Sequence, residues 1–355
     1  LALQPSTDSR EVARLRDITR EAVVLWELGL SGPGGAHDIR PDIDDARRGA
    51  RLEITALERI RATAEVAGEM HESLMEHADD APLIADVVDM VDAGVMRRVS
   101  GRLDDCLDGR GGIRDDASPG LARARRDVAE LRRQAQDALR DVAQSVKAHL
   151  QEGFITERAG RPVLAVKASS RSAVPGIVHD TSDSGGTLFV EPLPVVEASN
   201  RVREAVARER EELAAVLTAL TALVEEHAYA LEVAVDALAE IDLRLARASL
   251  SRQWRGAPVE DGDVLLAGAR HPLLDPGSAV PITLDLTSIR TLVVSGPNTG
   301  GKTVSLKTLG LFAMLHQCGL EPPADRVRLP VFDTVLADIG DEQSIAESLS
   351  TFSAH

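Results

Sequence analysis

The chain has 355 residues, of which 44% are hydrophobic and only 2% aromatic, and it carries a formal net charge of −17. One core rarely fills that length, so two or three domains are expected, with interiors built from Leu, Val, Ile and Ala, the material of long helices. The acidic balance excludes a domain held to nucleic acid by bulk charge and leaves room only for a local basic stripe.

Cys106 and Cys318, far apart and without metal-ligand spacing, exclude a disulfide framework and fit a reducing compartment. No stretch approaches the roughly 20 consecutive apolar residues of a membrane span, and no signal peptide opens the chain, so the reading is cytoplasmic with no membrane partner.

Residues 1–117 read as a helical core. Thr7 and Ser9 offer caps before Val12, Leu15, Thr19, Ala22 and Trp26, a spacing of three and four that predicts a helix ending at Gly29. Ser31 to Gly35 form a loop. Apolar spacing resumes through Leu52, Leu57, Ile60, Ala64, Ala67 and Leu74, and again over Leu83 to Val95, giving core helices without evident chemistry.

Residues 118–255 read as a long antiparallel coiled-coil arm. Ser118-Pro119 supply a cap and a first-turn proline. Leu121, Ala124, Val128, Leu131, Ala135, Ala138, Val142 and Val146 then form an apolar seam. A second periodic stretch, Val195 to Leu250, contains neither Gly nor Pro and predicts roughly 80 Å of helix, too long to bury in one globule. Between the two, at about 154–192, the period falls to two. Ile155–Glu157, Val163–Val166, Gly176–His179 and Thr187–Val190 read as short strands of a β tip, around which the helices return on each other.

Residues 256–355 turn to α/β. Val264–Leu266, Ile282–Leu284 and Thr291–Val294 are strand candidates. Lys302 to Gln317 is a helix with Leu306, Leu309 and Ala313 on one side, ended by Gly319 before Pro322-Pro323. The fold class is thus mainly α with α/β: helical core, arm with a small β tip, and the first part of a P-loop ATPase domain of the ABC type.

The chemistry sits between the last strand candidate and that helix. Gly296-Pro297-Asn298-Thr299-Gly300-Gly301-Lys302-Thr303 fits G-x-x-x-x-G-K-[ST], with a strand expected before it and a helix after it. The glycines let backbone N–H groups converge on phosphate oxygens, and the helix end adds positive potential. Lys302 should reach the β- and γ-phosphates and the Thr303 hydroxyl should ligate Mg²⁺, so ATP and Mg²⁺ are the expected cofactors. A chance Gly-rich turn is the bland alternative, disfavoured by its flanks.

The wording G-P-N-x-G-G-K-T resembles the MutS family more than generic P-loop enzymes, and Arg270-His271-Pro272 is similar to that family's mark upstream. Asp338 to Ser344 followed by Ser350-Thr351-Phe352-Ser353 looks like its signature-loop region. Gly176 to Asp180 and Ser184 to Pro192 are similar to the second bacterial MutS paralogue. The resemblance runs along most of the chain, with specific motifs from residue 174 onward.

It implies a homodimer that sandwiches each nucleotide, with Ser350, beside Thr351, facing the γ-phosphate held by the other subunit. His271 would frame the nucleotide pocket. It further implies an ATP-gated clamp on DNA, branched or duplex, or on the ribosome, in DNA repair, restraint of recombination or rescue of stalled ribosomes. Full-length members also carry a C-terminal Smr nuclease domain, which nothing in residues 1–355 matches.

One departure stands out. Four apolar residues followed by Asp-Glu, which would position Mg²⁺ and activate water, do not follow the P-loop. Val335-Leu336-Ala337-Asp338 comes closest, but Ile339 succeeds the aspartate, and the alternative is a chain that stops inside its ATPase domain. No catalytic residue is assigned, and binding of Mg·ATP with negligible turnover is expected.

Other motifs weigh less. Phe189-Val190-Glu191 matches the F-x-E of mismatch readers but sits in the strand region, where a plain strand is the better reading. His179 and Asp180 near Ser182 and Ser184 read as a polar turn. Arg123, Arg125, Arg126, Arg132 and Arg133 are interleaved with acids and read as a solvated helix face. The rival to an ATP-driven clamp is a non-enzymatic module whose shape nucleotide locks, or a chromosome-maintenance ATPase with a coiled-coil arm. Hydrolysis stimulated by DNA or ribosomes separates the clamp from the module.

Overall fold

The computed structural model describes residues 3–158, 160–275, 277–295 and 301–338. It is helix-rich, 56% helical, with two small sheets. The helices are α1 (Ser9–Glu27), α2 (Arg40–Arg47), α3 (Ile54–Met75), α4 (Pro82–Val88), α5 (Ala93–Cys106), α6 (Pro119–Ser145), α7 (Leu193–Glu226), α8 (Ala228–Trp254) and α9 (Lys302–Gln317). The strands are β1 (Leu150–Arg158), β2 (Arg161–Lys167), β3 (Gly176–Thr181), β4 (Thr187–Pro192), β5 (Val259–Asp261), β6 (Leu265–Ala269), β7 (Ile282–Asp285) and β8 (Arg326–Leu329).

Two compact units result. One holds the described residues of Leu1–His37, Thr63–Met96 and Tyr229–His355; the other holds Asp38–Ala62 and Arg97–Ala228.

In the first unit, α1 buries Val12, Ile18, Thr19, Ala22 and Leu25, close to the predicted face. Its cap is Asp8, whose carboxylate accepts the Arg10 N–H at 2.8 Å, and not Thr7 or Ser9. Trp26, expected inside, is 41% exposed because Leu25 takes the inner position. The apolar run Leu83 to Val95 is two helices, α4 and α5, divided where Asp89 and Asp92 flank Met90 and Val91.

The second sheet, also in this unit, has the order β5-β8-β6-β7, with β5 parallel to β8 and the other pairs antiparallel. Two of the three expected strands appear there as β6 and β7. The third does not: Thr291–Ser295 is irregular, and Val293 is 83% exposed. A continuous apolar run of that kind forms a strand when neighbours cover both its edges and faces. No strand among the described residues pairs with it.

In the second unit, Ser118 caps α6 by accepting the Leu121 N–H at 3.0 Å, and Leu121, Ala124, Val128, Ala135 and Leu139 are buried. α6 and α7 run antiparallel. Gly120, at the start of α6, lies against Glu212 with no room for a Cβ, whereas Leu131 and Gln134 share a shallow hollow with Pro194 and Glu197 at the start of α7. The long run from Val195 is divided at His227, where φ −105° and ψ 14° leave helical values, so it forms α7 and α8 and not one rod.

The four expected strands of this unit form an antiparallel sheet of order β1-β2-β4-β3. β2 lies inside, with Leu164 opposite Val190 and Val166 opposite Leu188. Leu164, Val166, Val174 and Val190 make one core with Leu139 of α6 and Val195 of α7, so both helices are rooted in the sheet. α2 left no sequence signal, since only Ile43 and Ala46 supply an apolar face among five charged residues; its Asp42 is held by Arg59 at 2.6 Å.

Candidate functional site

The site is built on α9. Phe312, fully buried, joins Leu266, Ala269, Val327 and Leu329 of the second sheet in one core, with Leu309 and Leu315 packed against it. A Phe locked among strand residues fixes both the position and the rotation of its helix. At the other end Gly319, at φ +75°, closes α9 by donating to the His316 carbonyl at 2.8 Å, and the Leu320 N–H reaches the Leu315 carbonyl at 2.9 Å.

The N-terminus of α9 is where the motif arrives. Gly301 is its cap, at φ +78° and ψ 10°, a left-handed conformation that other residues adopt with strain, and no atom lies within 4 Å of where its Cβ would stand. Ser305 donates both its amide, at 2.9 Å, and its hydroxyl, at 3.0 Å, to the Gly301 carbonyl. Amides preceding Ser305 therefore have no partner within the helix, as at every helix start. Lys302 and Thr303 are the first two helical residues, with Thr303 exposed.

This donor set suits an anionic oxygen cluster: first-turn amides, the positive end of a helix, an ammonium group and a hydroxyl. It equally suits a hard cation shared with phosphate oxygens and water, since Mg²⁺ rarely uses an all-protein cage. Among the described residues no cluster of three His, Cys, Asp or Glu could hold a metal ion.

Other expected site residues fall as follows. Gly296, Pro297, Asn298, Thr299 and Gly300 lie outside the described residues, as do Ser350 and Thr351. His271 follows β6, and its Nδ1 accepts the Leu273 N–H at 3.3 Å. Arg270 beside it donates to the Gly268 carbonyl at 3.0 Å and stands 3.7 Å from Asp325. Val335–Asp338 is irregular and not a strand, with Leu336 90% exposed. It lines one side of a cavity of ≈ 580 Å³, whose other walls include Val264, Ile289, Leu306 and Leu309.

Two polar clusters had no sequence signal as clusters. At the far end of α9, His316 is fully buried, and neither ring nitrogen has a hydrogen-bond partner among the described residues. Burial first, and the Arg16 charge second, push its imidazole down to about 4, with Asp261 opposing them. Arg16 itself clasps Asp261 with its two terminal guanidinium nitrogens, each at 2.8 Å.

In the other unit Glu191 of β4 is fully buried, bonded to Arg161 at 2.8 and 2.9 Å and to His179 Nε2 at 2.7 Å. Burial pushes this carboxyl up, but the polar groups around it, Ser199, His179 and Arg161, together outweigh burial and hold it below the usual carboxylate range. The F-x-E triplet is thus a strand whose glutamate points into a structural ion cluster, and His179 belongs to that cluster, not to a polar turn.

Comparison with known proteins agrees with these motifs. Residues 292–355 match MutS domain V, and the chain is a member of the MutS family. It is 40% identical to the Endonuclease MutS2 of Symbiobacterium thermophilum over 361 aligned residues, covering 100% of this chain and 45% of that protein. The corresponding protein of a Geobacillus species is 39% identical, covering 99% and 46%, and that of Thermomicrobium roseum 40% identical, covering 99% and 47%. Within the family the likeness is to the MutS2 branch, and the chain spans less than half the length of the curated relatives it matches.

Proposed function

We infer that this chain binds Mg·ATP through residues 296–303 and uses the bound nucleotide to govern its grip on DNA. The observation that carries the reading is the junction at Gly301: the motif runs directly into the first turn of a helix whose position is fixed by Phe312. Lys302 would reach the β- and γ-phosphates, the amides of the loop and first turn would hold phosphate oxygens, and Thr303 would contact the metal. The bound Mg²⁺ supplies neutralising charge on those oxygens.

Two copies would close on the nucleotides, with Ser350 and Thr351 of one facing the γ-phosphate of the other and His271 bordering the pocket. Closure would move the α6–α7 pair, which acts as the arm of a clamp on branched or duplex DNA. The same grip applied to a ribosome is an alternative target, and DNA repair with restraint of recombination is the process this activity fits. Support comes from membership of the MutS family and from the name of the relatives, endonucleases by that name.

The test is Lys302→Ala, titrated calorimetrically with a non-hydrolysable ATP analogue and compared by circular dichroism. Affinity should fall by at least tenfold with the helical signal unchanged, because a lysine at a helix start contributes little to the core. Unchanged affinity overturns the nucleotide reading.

A further inference from the structure

We propose that Gln317, at the far end of α9, is a positioning residue that ties nucleotide occupancy at residues 296–303 to the start of the chain and to the segment 332–338. The role rests on the nucleotide reading given above and says what binding there moves.

Gln317 is only 3% exposed, and its side-chain amide is engaged on both sides. Nε2 donates to the Ser6 carbonyl at 2.7 Å and to the Phe332 carbonyl at 3.0 Å, and Oε1 accepts the Phe332 N–H at 3.2 Å. The backbone carbonyl of Gln317 accepts the Ser6 N–H at 3.0 Å. Both amide hydrogens are thereby used, and a flipped amide would set its oxygen against two carbonyls, so the orientation is fixed. Phe332 exchanges two hydrogen bonds with this amide, as a residue of a paired strand does with its neighbour. Three segments remote in sequence meet on one side chain.

The bond to Phe332 bears on the segment that follows it. Residues 334–338 line one side of the cavity of ≈ 580 Å³, and Leu306, Leu309 and Gly310 of α9 line another. Open volume therefore lies between that segment and the flank of the helix. The Gln317 amide is where the far end of α9 is bonded to it.

On the N-terminal side there is no slack. A Cβ at Gly319 would stand 2.5 Å from the Leu15 Cβ and 2.8 Å from the Leu15 carbonyl oxygen, so the backbone at the end of α9 lies directly on α1. Thr19 donates to the Gly319 carbonyl at 2.6 Å. The 16 residues of α9 make a rod of about 24 Å, and a regular helix carries a displacement from one end to the other.

Other polar groups here offer no such hold. Arg247 Nε of α8 and both ring nitrogens of His316 are buried without a hydrogen-bond partner among the described residues, and Arg247 stands close enough to the Cys318 thiol for its charge to act on it. A shift of α9 breaks no bond of those three atoms. The bonds it strains are those of Gln317 and Thr19, which is why α1 and the segment after Phe332 follow the helix.

The experiment follows hydrogen–deuterium exchange by mass spectrometry in the whole chain, with and without a saturating non-hydrolysable ATP analogue and Mg²⁺, while calorimetry reports binding itself. In the wild type the analogue should slow exchange in peptides from residues 3–19 and 326–338 by about fivefold or more, the lower end of a coupling between two sites. Gln317→Met keeps the volume and removes the amide. It should still bind the analogue, yet exchange at the same rate with and without it in both peptides. A side chain that merely stabilised the fold would, on removal, raise both rates and leave their ratio intact. Leu25→Ala, which opens a cavity further along α1, controls for this and should keep the wild-type ratio. Ser6→Pro removes one donor at a half-buried position and should weaken the response at 3–19 while leaving that at 326–338.

A wild-type ratio in Gln317→Met overturns the role of Gln317 and leaves the nucleotide reading intact. So does a wild-type chain that binds the analogue with no response in either peptide. Where Gln317→Met fails to fold, Ser6→Pro decides, and an unweakened response at 3–19 overturns the role. A wild-type chain that binds no analogue overturns both.

Discussion

Replacing His316 with Leu should make the unit that contains α9 less sensitive to acid. The imidazole is fully buried at the end of α9, its nitrogens have no partners among the described residues, and it is held down to about 4 from 6.5. Between those values the unfolded chain binds a proton that the folded chain refuses. Its contribution to stability is therefore complete above about pH 6.5 and is lost as pH falls towards 4. At about 1.4 kcal/mol per pH unit, the interval amounts to about 3 kcal/mol.

Leucine has a similar volume and no proton to accept. Removing two unsatisfied nitrogens should leave the variant at least as stable as the wild type at pH 7.5, since each orphan polar atom costs about 1–3 kcal/mol. Urea unfolding followed by tryptophan fluorescence reads this unit selectively, because Trp26 and Trp254 both belong to it. The difference in stability between variant and wild type should widen by about 3 kcal/mol between pH 7.5 and 4.5. Parallel pH curves would refute the reasoning. So would a variant weaker by 2 kcal/mol or more at pH 7.5, which would mean that ordered water satisfies the ring.

Two further outcomes follow from the buried side chains. Phe312→Ala should cost about 3–5 kcal/mol in urea unfolding and weaken binding of the ATP analogue, because the residue that seats α9 on the sheet is lost together with its cavity lining; normal affinity in a folded variant would show that α9 is held elsewhere. Glu191→Gln should destabilise the other unit by about 3 kcal/mol, since it leaves the Arg161 charge, 14% exposed, without its counter-ion. The Glu191 carboxyl is held below its usual range, so its contribution is present above the unfolded value near 4.5 and disappears as pH falls. The gap between wild type and variant, read from helical circular dichroism in urea, should narrow as pH falls below about 4.5; a gap that is independent of pH counts against the ion cluster.

Local chemistry made much of this fold readable. α9 spans the predicted residues because its start is set by glycine at a left-handed position, its register by three-and-four spacing, and its end by Gly319. The β1–β4 sheet was legible because period two and glycine turns mark each strand. What escaped depends on partners distant in sequence. β5 and β8 are three and four residues long and charged, and they form only because they lie beside β6 and each other. Thr291–Val294 failed in the opposite sense, having the composition of a strand but no partner strand among the described residues. At the site, the motif announced Lys302 and Thr303, whereas the cavity walled by α6 and α7 gathers Arg132, Arg203 and Arg210 across about seventy to eighty residues. Glu191, singled out for a local triplet, proved to be fixed by residues of two other strands.

The sheet that roots α6 and α7 also settles how those helices find each other. Their facing surfaces are rich in alanine, and such a seam slides by a turn at little loss, so side-chain packing alone specifies alignment weakly. Bringing Gly120 against Glu212 directly would close a loop of roughly ninety residues, at an entropic cost of about 4 kcal/mol. Once β1, β2 and β4 have paired, Leu139 and Val195 already share a core, and every later contact between the helices closes only a few additional residues. The pair then zips outward from the sheet in a single alignment, and the strand register dictates which residues of the two helices come to face each other.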